Sequence, residues 1–354
     1  MLRLTTAGES HGPAMVGILD GCPAGILLDL ASVDEFLSLR APGRGTDLTS
    51  RRKEPDHVIF LSGLIDGLTT GTPIAFMIEN TDTRPADYDV MQHAFRPSHA
   101  DYTYQMKYGI RDHRGGGRAS ARETALRVVA GAIALAALHQ MGITVWAYTS
   151  QIGSVKYNMP VEDVPLGKNI YTFSMRCPDP AVNAEMEARL RRVQEAGDTV
   201  GGVVTCVVSG CPAGLGEPVY GKLHASLAAA MMSINAAKGF EYGMGFDGAA
   251  RLGSEMNDEF TLDKRGNIAT LTNHSGGIQG GISNGNRIYF RTAFKPIATL
   301  MRNMPTVNEY GERVIIPAGG RHDACAVPRA VPVVQSMTAL VILDALLTHR
   351  ARRL

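Results

Sequence analysis

The chain has 354 residues, 45% of them hydrophobic and 19% charged, which is enough for a sizeable core and excludes a disordered tail or a small stapled module. Lys and Arg total 35 against 34 Asp and Glu, a formal charge of +1, so the whole-chain positive excess of backbone-driven nucleic-acid binders is missing and any polyanion site has to be local. The cysteines Cys22, Cys177, Cys206, Cys211 and Cys325 are odd in number and form no C-x-x-C pair, which points to reduced packing residues rather than a disulfide framework or a zinc cage.

The opening MLRLTTAGES lacks the hydrophobic core of a secretory signal, and the apolar stretch 128–138 is too short to span a bilayer, so the expectation is a cytoplasmic protein with no membrane contact. In chain order, an apolar run at 16–19 reads as a strand and leads into Gly21-Cys22-Pro23-Ala24-Gly25. Ser32 followed by Glu35 has the spacing of a capping box and predicts a helix over 32–40. Strands are expected at 58–62 and 74–79. A second capping box, Ser120 to Glu123, opens an alanine-rich helix ending near 141. A strand at 143–148 follows. Asp179-Pro180 starts a helix with Val182, Met186, Leu190 and Val193 on one face. Beyond it come a strand at 200–208, a helix at 223–235, a strand at 288–294 and a helix over 331–348.

The strand at 200–208 leads into Gly210-Cys211-Pro212-Ala213-Gly214, an echo of the first turn with the same flanks. Either the chain is an internal repeat, with halves near 1–150 and 195–354 of a single domain, or C-P-A-G makes a good turn twice. Because strands and helices do not alternate strictly, an α+β layered fold is expected over a doubly wound one. Long glycine-bearing segments at 41–55, 82–98, 111–117, 239–257, 273–286 and 295–323 are candidates for function.

Two motifs mislead. Residues 243–248 satisfy G-x-G-x-x-G, yet no convincing strand precedes them and no helix follows, so a flexible loop is the better reading. Residues 216–223 nearly spell a phosphate loop, but Leu223 stands where a metal-binding hydroxyl is needed.

Stronger chemistry lies in 107–123. Gly115, Gly116 and Gly117 allow close backbone approach, the helix start near Ser120 offers free N–H groups, and Arg114, Arg118 and Arg122 recur every four residues, so any helical part would show guanidinium groups on one side. With Arg111 they suit phosphate or carboxylate. A second basic patch, Arg40, Arg44, Arg51, Arg52 and Lys53, follows the first helix. His11, His99 and His322, the last beside Asp323, sit in turn-like polar contexts and are the candidates for proton transfer near neutral pH. No spacing suits a metal. A polyanion-binding module is the other class the arginine stripe allows, but near-zero charge and the lack of an aromatic stacking pattern argue against nucleic acid.

These segments together resemble the chorismate synthase family over almost the whole chain. The resemblance is carried by Gly8-Glu9-Ser10-His11-Gly12, Arg52-Lys53-Glu54-Pro55-Asp56, Ile78-Glu79-Asn80-Thr81-Asp82, Arg96-Pro97-Ser98-His99-Ala100-Asp101, Ser120-Ala121-Arg122-Glu123-Thr124, Ser233-Ile234-Asn235-Ala236, Lys295-Pro296 and Gly320-Arg321-His322-Asp323. It implies elimination of phosphate from 5-enolpyruvylshikimate 3-phosphate with reduced FMN and no net redox change. It also implies a fold of helices packed between two antiparallel sheets in two similar halves, and a homotetramer. Flavin contacts are implied for Arg118, Ala119, Ser120, Asn235, Ala236, Gly280, Lys295, Pro296, Ile297, Ala298, Thr299 and Arg321. His11, His99 and Asp323 are implied as proton-transfer groups, and Arg40, Arg44, Arg111 and Arg122 are the expected substrate anchors. The family's R-R-R-P-G reads Leu39-Arg40-Ala41-Pro42-Gly43 here and its later arginine is Thr46, a role that passes to Arg44. Family members that reduce their own flavin carry insertions for which 354 residues leave no room, so an external flavin reductase is expected.

Overall fold

The computed structural model describes residues 1–42, 48, 56–81, 91–264, 266–319 and 323–352. Two antiparallel sheets organise them. The first runs Arg3–Ala7, Ala14–Asp20, Ile74–Glu79, Ile59–Phe60. The second runs Ala237–Tyr242, Ile288–Phe294, Gly202–Ser209, Thr144–Ile152, Val155–Lys156. Side chains alternate across a strand, so Ile74, Phe76 and Ile78 are buried together, as are Ile288, Phe290, Thr292 and Phe294.

The helices are α1 (Leu30–Ser38), α2 (Asp101–Tyr108), α3 (Thr124–Gln140), α4 (Pro180–Glu195), α5 (Leu223–Met232), α6 (Gly245–Gly248), α7 (Gly253–Met256) and α8 (Val327–Ala351). The longest contact between helices is α3 along α8. α3 also touches Arg3–Ala7 and Ala14–Asp20 of the first sheet, α8 lies on Thr144–Ile152 and Gly202–Ser209 of the second, and α1 and α5 flank the pair. Covered on several sides, α3 buries Leu126, Val129 and Ile133 and α8 buries Val331, Val334 and Leu343, all fully enclosed. Among the described residues α8, not 128–138, is the helix long and apolar enough to cross a membrane by composition, with a mean hydropathy of 1.9, but 72% of that window is buried inside this fold, as in a core helix.

Local chemistry moved several boundaries. α1 is capped by Asp29, whose carboxylate accepts from the Ala31 N–H, while Ser32 donates its hydroxyl to Asp29 instead of capping. Ser120 caps a 3₁₀ turn, Ala121–Glu123, that feeds α3. α8 begins at Val327, four residues ahead of expectation, because Pro328 is tolerated in a first turn. The strand Ala237–Tyr242 does precede residues 243–248, contrary to expectation, but the helix it leads to is the single turn α6. Arg3–Ala7 escaped notice because it is an edge strand with no buried residue and so carries no apolar alternation.

The two G-C-P-A-G turns make the same hydrogen bonds. In the first, Gly25 N–H donates to the Thr69 carbonyl, Thr69 N–H to the Ile26 carbonyl, Ile26 N–H to the Thr69 hydroxyl, and that hydroxyl to the Pro23 carbonyl. In the second, Gly214, Ser283, Leu215 and Pro212 repeat the pattern position by position, with the Ser283 hydroxyl in the place of Thr69. Each hydroxyl ends a two-residue hairpin turn, Asp66-Gly67 or Gly280-Gly281, in which both residues have positive φ as a type I′ turn requires.

Candidate active site

A cavity of about 910 Å³ gathers residues from chain segments far apart in sequence. Of the expected site residues, His99, Asp323, Arg40, Arg111, Ala119, Asn235, Ala236, Lys295, Pro296, Ile297 and Ala298 all line it. Arg44, Arg321 and His322, with Arg51, Arg52, Lys53 and Thr46, lie outside the described residues. A second cavity of about 740 Å³, between the edge strand Arg3–Ala7 and α8, takes in none of the expected residues.

The segment 96–101 is built around Asp101, the first residue of α2. Its buried carboxylate accepts from the Arg96 backbone N–H (2.9 Å), from Arg96 Nε (2.8 Å) and Nη2 (2.7 Å), and pairs with Arg111 Nη1 at 3.3 Å. Burial alone would push that carboxyl up, but the Arg96 bonds outweigh it and hold it below the usual carboxylate range. Arg111 is further fixed by the carbonyls of Met91, Gln92 and Ala94. Two guanidinium groups thus stand at the cavity in fixed positions.

His99 feels the charge of Arg96 on one side and reaches Thr299 of the segment 295–299 on the other. Its Nδ1 is 2.9 Å from the Pro97 carbonyl, which can only accept, so Nδ1 carries the proton and Nε2 is left as an acceptor facing the Thr299 hydroxyl at 3.2 Å. Burial, reinforced by the charge of Arg96, pushes the His99 pKa below the ordinary histidine value, so the ring is neutral at pH 7. Lys295 ties two strained residues together. Its N–H donates to the Ala236 carbonyl and its Nζ to the Ser98 carbonyl, and Ala236 (φ +67°) and Ser98 (φ +57°) both hold left-handed backbone. Burial, then the charge of Lys238, lowers the Lys295 pKa from its ordinary value.

Next to Ala236, Asn235 donates its Nδ2 to the Ala119 carbonyl at 2.9 Å, and its buried Oδ1 has no hydrogen-bond partner among the described residues. A buried acceptor left unmade is costly, so a ligand N–H fits there, such as a flavin ring offers. Asp323, 6% exposed, accepts from Arg329.

The remaining expected residues among those described, His11, Arg118, Ser120, Arg122, Gly280 and Thr299, do not line the cavity. The arginine run is not one helical face. Arg114 precedes the turns and pairs with Asp112 at the surface. Arg118 donates to the Gly8 carbonyl and to the Thr6 carbonyl and hydroxyl. Arg122 holds both oxygens of buried Asp56, at 2.7 and 2.6 Å, and Asn80 Oδ1, while Asn80 Nδ2 donates to the Glu9 and Gly12 carbonyls. Arg118 and Arg122 therefore brace the turn that carries His11. His11 itself packs on Gly115, where a Cβ would fall 2.5 Å from its Nδ1, and Gly115 lines the cavity. Ser120 caps its turn, and Gly280 sits in the exposed hairpin turn of the second half.

Arg96, Tyr104 and Arg329 also line the cavity and were not among the expected site residues. Arg96 stood inside a segment already singled out, so its signal was available. Arg329 gave none, lying in a run of Val, Pro and Ala that reads as core. No group of three or more metal-ligating side chains occurs among the described residues.

A cavity lined by Arg40, Arg96, Arg111 and Lys295, with a neutral histidine and a carboxylate set in its walls, defines an enzyme for a small, multiply anionic molecule. The chain belongs to the chorismate synthase family, lyases of the shikimate pathway: the family model described as chorismate synthase matches residues 2–347. It is similar to the chorismate synthase of Parabacteroides distasonis, 57% identical over 350 residues, with 99% of this chain and 97% of that one covered. Against the chorismate synthase of Bacteroides thetaiotaomicron it is 54% identical over 354 residues, covering 100% and 98%. A crystal structure of a chorismate synthase superposes with a TM-score of 0.77 at 32% identity, covering 98% of this chain and 92% of that chain.

Proposed function

We propose that this enzyme eliminates phosphate from 5-enolpyruvylshikimate 3-phosphate to give chorismate, with reduced FMN bound beside the substrate in the 910 Å³ cavity. The observation that carries the proposal is the convergence of His99, Asp323, Asn235 and five cationic side chains, from segments hundreds of residues apart, on one cavity. Arg40, Arg111 and Arg96 hold the carboxylates and phosphate of the substrate, a role that Arg44 shares. Reduced FMN, when bound, supplies the transient electron and the ring nitrogen base that no side chain can. Asn235, Ala236, the segment from Lys295 to Thr299, Arg118 to Ser120 and Arg321 form its binding surface, and Gly280, which does not line the cavity, is included on family resemblance alone. His99 protonates the leaving phosphate, His11 serves the reduced flavin as proton donor, and Asp323 takes the proton from flavin N5.

The matched hydrogen bonds of the two G-C-P-A-G turns support an internal repeat within one domain, and the contacts of α3 and α8 with opposite sheets support a layered arrangement with the helices inside. A cytoplasmic homotetramer that draws reduced flavin from a separate reductase completes the reading. The test is an anaerobic assay of purified protein with reduced FMN and the phosphorylated substrate. Absence of phosphate release, with flavin bound, would sink it.

A further inference from the structure

Among the groups that hold Asp323 is an arginine that also bonds the backbone of the other half of the chain. Arg329, on the first turn of α8, donates Nη1 to Asp323 Oδ2 at 2.5 Å and Nε to the backbone carbonyl of Arg40 at 2.8 Å. Arg40 directly follows α1 in the first half of the chain, and its side chain, 2% exposed, reaches the Asp56 carboxylate and the Ala121 carbonyl. The planar fork of a guanidinium can meet both acceptors at once, with directions that lock the carboxylate in place; a lysine ammonium on a flexible stem cannot reproduce that pair. The Arg329 side chain is 23% exposed and lines the cavity beside Asp323, which is 6% exposed.

We infer that Arg329 is a positioning residue: by bridging Asp323 to the Arg40 backbone it sets the carboxylate's orientation toward the reacting centre, and so couples proton transfer in the second half of the chain to Arg40 in the first. This rests on the reading of Asp323 as a proton acceptor given above. The bridge also accounts for an arginine within an otherwise apolar helix start, where burying most of the stem without a fixed partner would be unfavourable.

A double-mutant cycle on the full-length enzyme tests it, using Arg329→Met, Arg329→Lys, Asp323→Asn and the Arg329→Met/Asp323→Asn pair. Turnover, substrate KM and reduced-flavin affinity are measured for each, with circular dichroism and thermal unfolding to establish folding. A residue acting through Asp323 lowers kcat about tenfold or more in Arg329→Met with KM and flavin affinity within threefold, and costs little further in the Asp323→Asn background. Arg329→Lys recovers only part of the loss, and ethylguanidinium added to Arg329→Met restores some turnover. Additive losses, or a KM rise that accounts for the whole effect, would overturn the inference. Should Arg329→Met fail to fold, the cycle is run with Arg329→Lys, for which additivity is equally decisive. A parent enzyme with no lyase activity would count against the proposed reaction itself and, with it, the role of Asp323 on which the inference rests, whereas an active parent with additive losses overturns the inference alone.

Discussion

Gly131 of α3 meets Ser336 of α8 with no room to spare: a Cβ on Gly131 would lie 2.1 Å from Ser336 Cβ and 2.5 Å from its Cα. The central helix pair approaches this closely only because one side chain is absent, and Ser336 turns its hydroxyl back onto the Pro332 carbonyl. Arg329 lies two turns before Ser336 on the same helix, so the crossing also sets the position of the cavity wall.

Gly131→Ala therefore destabilises the fold. Alanine gains about 1 kcal/mol of helix propensity over glycine, but a contact that the Ser336 backbone cannot relieve costs about 1 to 3 kcal/mol or more by overpacking. Urea unfolding should show a lower midpoint with an unchanged slope; a raised midpoint would mean that the helices part without cost.

The state of His99 sets a proton balance. Its folded pKa lies below the ordinary histidine value, so above about 6.5 both folded and unfolded chains carry it neutral. As pH falls below that value the unfolded chain binds a proton first, and the stability His99 contributes is lost toward its lower folded pKa. A phosphate dianion placed beside the ring reverses the bias and draws a proton in. Calorimetry of substrate binding at pH 7 in buffers of different ionisation enthalpy should show net proton uptake, abolished in His99→Gln. Equal uptake in both proteins would remove His99 from phosphate recognition.

Asp101 is a counter-ion for Arg96 and Arg111 rather than a reactive acid. Asp101→Asn keeps its shape but removes the charge, and breaking a buried pair of this kind costs about 3 to 5 kcal/mol. Thermal unfolding should fall clearly, and substrate KM should rise because both guanidinium groups lose their anchor. A stable variant with unchanged KM would show that the other contacts of these arginines suffice.

At the proposed flavin surface, Asn235→Ala removes a buried acceptor and the bond to Ala119. Reduced-FMN affinity should weaken about five- to tenfold, the worth of one net hydrogen bond of about 1 kcal/mol or slightly more. Titration followed by flavin fluorescence or absorbance reads this directly, and unchanged affinity would take Asn235 out of the binding surface.

His99→Ala and Asp323→Asn should each lower turnover by about a hundredfold or more, the scale of general acid-base catalysis, with flavin affinity within a few-fold. Retained turnover in both would leave the proposed proton route without its carriers.

What was legible in the sequence followed periodicity and turn chemistry. The strands Ile74–Glu79 and Ile288–Phe294 alternate so regularly that their ends are fixed by composition, and Asp179-Pro180 marks the start of α4 with a cap and a first-turn proline. His99 and Asp323 were legible because each stands in a polar, turn-like motif that makes no sense as core, whereas Asn235, at the end of an expected helix, was singled out only by the family resemblance. Arg118 and Arg122 were legible as functional arginines, but the carbonyls and carboxylates that claim their guanidinium groups come from strands and loops over forty residues away.

Local order along the chain thus determined which residues are turns, caps, core strands and chemical groups, since those depend on a residue and its near neighbours. Only the tertiary structure decided which cations face the cavity and which brace its walls, that Arg329 holds Asp323, and that Gly131 sets the helix crossing. Those outcomes depend on distances between segments that no spacing in the sequence encodes, because packing in three dimensions decides which acceptor a guanidinium reaches first.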